Sequence, residues 1–109
     1  MIKIEDFLKA DLRVGRIISV EEHSKARKPM YKLRVYLGPE IGERRIVAGI
    51  REFYAKEELI DKYVICIVNL EPKKIAGAES NGMLLAAEDS KKIALLMPDK
   101  RLSPGAKIH

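Results

Sequence analysis

The chain has 109 residues, with 21 Lys and Arg against 16 Asp and Glu, a net charge of +5 and a sequence pI near 9.4. This length suits one domain over residues 1–109 and excludes two, and an apolar share of 47% argues against disorder. No apolar run reaches the ~18 residues of a membrane-spanning helix, the charged opening Lys3, Glu5, Asp6 is unlike a secretory signal, and one cysteine allows no internal disulfide, so a cytoplasmic protein is expected.

In chain order, Ile4, Phe7 and Leu8 follow the i, i+3, i+4 spacing of a short amphipathic helix over Ile4–Ala10. From Leu12 the period becomes two. Leu12, Val14, Ile18 and Val20 share one parity, and Asp11, Arg13, Ser19 and Glu21 the other, which predicts a strand of about ten residues with a bulge or bend at Gly15. A polar, basic loop runs from Glu22 to Pro29, with His23 read as a solvated loop histidine. Tyr31, Leu33, Val35 and Leu37 alternate with Lys32, Arg34 and Tyr36, predicting a strand with one apolar and one basic face. Gly38–Gly42 reads as a turn and Arg44–Ile50 as a third strand.

Phe53–Asp61 is expected to be a short helix, and Tyr63–Leu70 a continuous apolar strand buried on both sides, with Cys66 a small core residue. Lys73–Gly77 reads as a basic connection leading to Ser80-Asn81-Gly82, followed by a strand Met83–Ala87, a hairpin partner Lys92–Met97 and a final turn at Pro104-Gly105. Five or six short strands with turns at roughly ten-residue spacing predict an all-β fold. The specific form expected is a five-stranded oligonucleotide/oligosaccharide-binding (OB) barrel with a short N-terminal helix, a helix between strands three and four, and extra C-terminal strands.

Catalytic machinery is not legible. No phosphate-binding glycine loop, dinucleotide fingerprint or nucleophile elbow occurs, and His23 and His109 have no carboxylate or thiol at ligand spacing. Adjacent acids such as Glu57-Glu58 point to different faces and do not form an acid/base couple. The reading is therefore a non-enzyme with no cofactor and no metal.

Charge distribution carries the functional signal. Between Arg13 and Arg51 ten basic residues face four acidic ones, so that stretch holds +6 and the remainder nets −1. Lys32 and Arg34 project from one strand face. If Arg44 or Arg45 adjoins them, the patch suits successive phosphates of a nucleic acid, and Lys73 and Lys74 add to it. Ser80 and Asn81 are candidate hydrogen-bonding groups for sugar hydroxyls or base edges, with Met83 an adaptable apolar contact; the plainer reading of Asn81-Gly82 is a tight turn. With only two Phe and four Tyr, stacking platforms are few. Folded RNA is a better fit than a threaded single strand.

Asp11-Leu12-Arg13-Val14-Gly15, Ile46-Val47-Ala48-Gly49-Ile50, Asn69-Leu70 with Pro72-Lys73 and, above all, Glu79-Ser80-Asn81-Gly82-Met83-Leu84-Leu85-Ala86-Ala87 resemble the tRNA-binding domain family of methionyl-tRNA synthetase C-terminal regions and free-standing tRNA-binding proteins. The resemblance implies an OB barrel, a homodimer, binding to the folded corner of tRNA, and assistance to a methionyl-type aminoacyl-tRNA synthetase. Carried over residue by residue, it points to Lys32, Arg34, Asn69, Lys73, Ser80, Asn81 and Met83. Arg13 and Arg45 are added on electrostatic grounds. The segments Ala26-Arg27-Lys28-Pro29 and Gly38–Gly42 look more like the CsaA-type proteins, a sister branch that implies an alternative function, a peptide-binding export chaperone using the same dimer cavity.

Overall fold

A computed structural model describes all residues, Met1–His109. Five strands make the barrel: β1 (Leu12–Glu22), β2 (Tyr31–Tyr36), β3 (Glu43–Ala48), β4 (Tyr63–Ile67) and β7 (Met83–Leu84), in the order β3-β2-β1-β4-β7 with every neighbour antiparallel. Helix α1 (Ile4–Leu8) precedes them, α2 (Gly38–Ile41) forms the β2–β3 connection, and α3 (Lys56–Leu59) lies between β3 and β4. Two hairpins complete the chain, β5 (Lys73–Ile75) with β6 (Ala78–Ser80), and β8 (Ala86–Glu88) with β9 (Ile93–Leu95). This is the expected all-β barrel.

The core lies inside the barrel, where Ile17, Leu33, Val35, Leu37, Ile46, Val64 and Cys66 are fully buried and Leu59 of α3 joins them. Glu58 starts α3 by accepting a hydrogen bond from the Ala55 N–H at 2.9 Å, one arm of a capping box. The apolar alternation of β2 behaves as read, with Tyr31, Leu33 and Val35 inside and Lys32, Arg34 and Tyr36 outside or half-buried.

Strand β1 differs in face and in bulge position. Gly15 and Ile17 point inward, not Val14 and Ile18, because a Cβ at Gly15 would lie 2.6 Å from Val35 Cγ1 and 2.9 Å from Leu37 Cδ2. Two strands approach too closely there for any side chain. The register shift falls between Ile17 and Ser19, where the extra residue Ile18 restores Val20 to the core side. Val14 is buried from outside, since its N–H donates to Ala106 O and its carbonyl accepts from Gly105 N–H as the C-terminal segment crosses β1.

Strand β4 is shorter than expected and buried on one face only, with Val64 and Cys66 inside and Tyr63, Ile65 and Ile67 half-exposed. The predicted helices shorten to five and four residues. The strand expected over Met83–Ala87 is broken at Leu85, whose N–H bonds to Ile65 O and whose carbonyl accepts from Leu96 N–H. Lys73–Gly77 is no simple connection. It enters a two-residue hairpin whose central residues Ala76 and Gly77 both take positive φ (51° and 86°), the pairing that matches strand twist.

Candidate nucleic-acid interface

The outer face of β2 and β3 gathers the cations. Arg34 and Arg45 are direct cross-strand partners, and Lys32 lies two residues along β2 on the same face, with Tyr36 at the other end. The alternative left open by the sequence is thereby resolved in favour of Arg45. Like charges directly opposite each other destabilise a sheet, so this row is not explained by folding. Lys32, half-buried, is paired with the exposed Glu21 at 3.3 Å, and exposed Arg34 with Glu43 at 2.9 Å; surface pairs of this kind are worth little. Arg45 has no carboxylate partner.

Three adjoining clefts surround this row. One of about 420 Å³ is lined by Arg34, Glu43, Arg44, Arg45, Glu79 and Asn81. A smaller one between β1 and β2 shares Lys32, Arg34 and Arg45, and a third shares Lys32 and Arg45 with Lys25 and the Ala76-Gly77 hairpin. Lys73 stands exposed on β5, opposite Ser80.

The Glu79–Met83 block joins the sheet edges. Ser80 is 5% exposed, and its Oγ accepts the Val47 N–H at 2.9 Å, while the Asn81 N–H donates to Arg45 O at 2.7 Å. These two bonds bring β3 against the β6–β7 segment and nearly close the barrel. Asn81 Oδ1 accepts from Arg44 Nη1 at 3.0 Å, and the same Nη1 donates to Val68 O, so Arg44 is a brace rather than a free cation. Gly82 carries the positive φ (119°) that the turn reading required. Met83 is exposed on β7, paired with Ile67.

Three of the sequence-derived residues stand differently from that expectation. Arg13 is 6% exposed, on the inward side of β1. Its Nε donates to Asp11 Oδ1 at 2.7 Å and its Nη1 to Gly105 O at 3.1 Å, with Glu40 Oε1 3.7 Å away. The Asp11 carboxylate pushes its pKa above the usual guanidinium value, and it fastens the C-terminal turn to the barrel end instead of joining the surface row. Asn69 accepts the Asp11 N–H at 2.8 Å and donates Nδ2 to Lys9 O at 2.7 Å, so it ties the end of α1 to β1. The Ser80 hydroxyl faces the protein interior.

His23 also departs from its reading. It is 3% exposed, and its Nε2–H donates to the Ile75 carbonyl at 2.7 Å, anchoring the basic loop to the β5–β6 hairpin. Its partner is 52 residues distant, and no local pattern announces it. This anchor places Lys25 beside Lys32 and Arg45, a juxtaposition that no periodicity in the loop announces.

Residues 12–107 match the family described as "Putative tRNA binding domain". The chain is 55% identical over 108 residues to a methionine–tRNA ligase of Pyrococcus horikoshii, covering 99% of this chain but 14% of that protein. It thus spans about a seventh of the curated relatives it matches. Among solved structures, the CsaA chaperone protein of Picrophilus torridus superposes with a TM-score of 0.94 at 43% identity over the whole of both chains. A methionyl-tRNA-synthetase-related protein from Pyrococcus horikoshii gives 0.90 at 35% identity, over 100% of this chain and 98% of that one. With the family match covering nearly its full length, the chain belongs to the tRNA-binding domain family.

Proposed function

We propose that this domain is a non-catalytic module that holds the folded corner of tRNA and assists a methionyl-type synthetase in trans, acting as a homodimer in the cytoplasm. The observation that carries the reading is the cation row Lys32-Arg34-Arg45 on one face of β2–β3. Its spacing along and across the strands suits successive phosphates, and its exposed carboxylate partners are weak enough to be exchanged for them. Lys73 extends the surface, and Asn81 and Met83 border it. Arg13, Asn69 and Ser80 serve as its frame. The identity with part of a methionine–tRNA ligase supports the synthetase connection.

Dimerisation is supported by α1, none of whose residues is buried; Ile4 is 64% exposed, and Ile2 and Leu8 also lie open. Such an apolar face needs a cover. A second reading, a peptide-binding chaperone, is favoured by the full-length likeness to a CsaA chaperone protein. Anisotropy of labelled unfractionated tRNA at ~50 and ~200 mM salt separates them. A steep salt dependence, weakened in Lys32→Ala, supports the tRNA reading. Salt-independent binding of an unfolded apolar peptide with tRNA ignored supports the chaperone. Light scattering at micromolar concentration tests the dimer, which a monomeric mass would refute.

A further inference from the structure

The 420 Å³ cleft beside the cation row is not a plain phosphate site. Glu43 and Glu79 stand in its wall among the arginines, and carboxylates repel phosphate. Its polar groups are also unequally satisfied. Arg44 is held by Val68 O and Asn81, and Arg34 by Glu43. By contrast, the Arg45 guanidinium and the Glu79 carboxylate form no ion pair, with each other or with anything else. The Asn81 side chain uses its oxygen on Arg44, which leaves its amide N–H groups without a protein acceptor. Opposite charges that line one cleft without pairing leave room for a ligand presenting acceptors on one edge and donors on another. No apolar side chain lines the cleft, so a planar polar group resting on guanidinium faces fits it better than an aliphatic one.

Resting on the RNA-binding reading above, we propose that this cleft takes an unpaired guanine, with Arg45 donating to O6 and N7 and the Glu79 carboxylate accepting from N1–H and the 2-amino group. Guanine alone among the four bases offers both two adjacent acceptors for a guanidinium fork and two adjacent donors for a carboxylate. Adenine and cytosine lack the second donor, and uracil has only N3–H. The flanking phosphates then lie on Lys32 and Arg34, whose row adjoins the cleft. Glu79 thus becomes the specificity-determining residue of a surface otherwise defined by charge.

The test uses fluorescein-labelled RNA hairpins of constant stem with a single bulged nucleotide, G, A, C or U, titrated with the intact chain and read by anisotropy at two salt concentrations. The bulged-G hairpin is expected to bind about tenfold tighter than the others, the discrimination of one good bidentate contact. Inosine, which lacks the 2-amino group, and 7-deazaguanosine, which lacks N7, are each expected to give up several-fold. Glu79→Gln should reduce the preference to within about twofold while leaving the salt dependence steep. Arg45→Lys, which keeps the charge but not the planar fork, should do the same. Both side chains lie on the surface, and an unchanged melting temperature verifies the fold. Salt-dependent binding that is equal for all four nucleotides overturns the guanine site and leaves the RNA-binding reading intact. Failure of every hairpin and of tRNA to bind overturns both.

Discussion

Replacing Ser80 by Ala tests whether the most distinctive block of the sequence closes the barrel or touches the ligand. The Ser80 hydroxyl accepts the Val47 N–H at 2.9 Å, and its other contact, Gly82 O, is long at 3.5 Å. Val47 is 8% exposed, so removing the oxygen leaves a nearly buried backbone donor without an acceptor. An orphaned donor of this kind costs about 1–3 kcal/mol, and in a domain near this size each kcal/mol lowers Tm by roughly 4–8 °C. A fall of about 10 °C is therefore expected in a circular-dichroism melt. Affinity for tRNA, measured by anisotropy well below the transition, should stay within about twofold of the parent, because the hydroxyl points inward. A Tm unchanged within about a degree, together with a several-fold loss of tRNA affinity, would refute the reasoning and return Ser80 to the ligand surface.

Asn69→Ala should release α1 by removing the bonds to the Asp11 N–H and the Lys9 carbonyl, seen as faster amide exchange over residues 4–11 with the salt slope of RNA binding unchanged; a shallower slope would place Asn69 at the RNA. Cys66 is fully buried, and desolvation pushes its thiol up to about 12, so a thiol reagent at pH 8 should react only on the timescale of unfolding; immediate labelling of native protein would refute the burial. Asp89 accepts the Lys91 and Lys92 N–H groups, which hold its carboxyl below the usual aspartate range. Because the folded pKa is depressed, the stabilisation of the β8–β9 turn is present above the unfolded aspartate pKa and is lost as pH falls through the folded one. An NMR titration of Asp89 with an ordinary or raised midpoint would contradict this sign.

Much of the barrel was legible because β2 follows strict alternation, and its basic outer face could be assigned without any partner. The same rule failed on β1. There Gly15 occupies an inward position that no side chain can fill, and the extra residue at Ile18 reverses parity halfway along, so the apolar residues alone misassign the faces. The partners of Arg13, Asn69 and His23 are not legible in the sequence for one shared reason. Charge singles out Arg13, the family resemblance Asn69 and the polar loop His23, yet each side chain satisfies a backbone carbonyl supplied by a segment distant in the chain. Long-range hydrogen bonding leaves no periodic trace. For Arg45, by contrast, charge narrows the choice to two neighbouring arginines, and the pairing register, which sets Arg45 opposite Arg34, decides between them.

The period of two also explains how one block can both close the fold and shape the site. Ser80 must point inward to receive the Val47 N–H, so Glu79 and Asn81 on either side of it are directed outward, into the cleft that Arg45 shares. The Asn81 N–H fixes that geometry from the backbone by bonding to the carbonyl of Arg45 itself. The cation and the two polar groups are therefore in register by construction, with their relative positions set by two hydrogen bonds beneath them. A substitution at position 80 removes the Val47 bond and weakens the closure while the backbone bond from Asn81 to Arg45 still holds the flanking side chains, whereas one at Glu79 or Asn81 alters the chemistry of the cleft and leaves the closure standing. Stability and recognition are thus separable by single changes one residue apart.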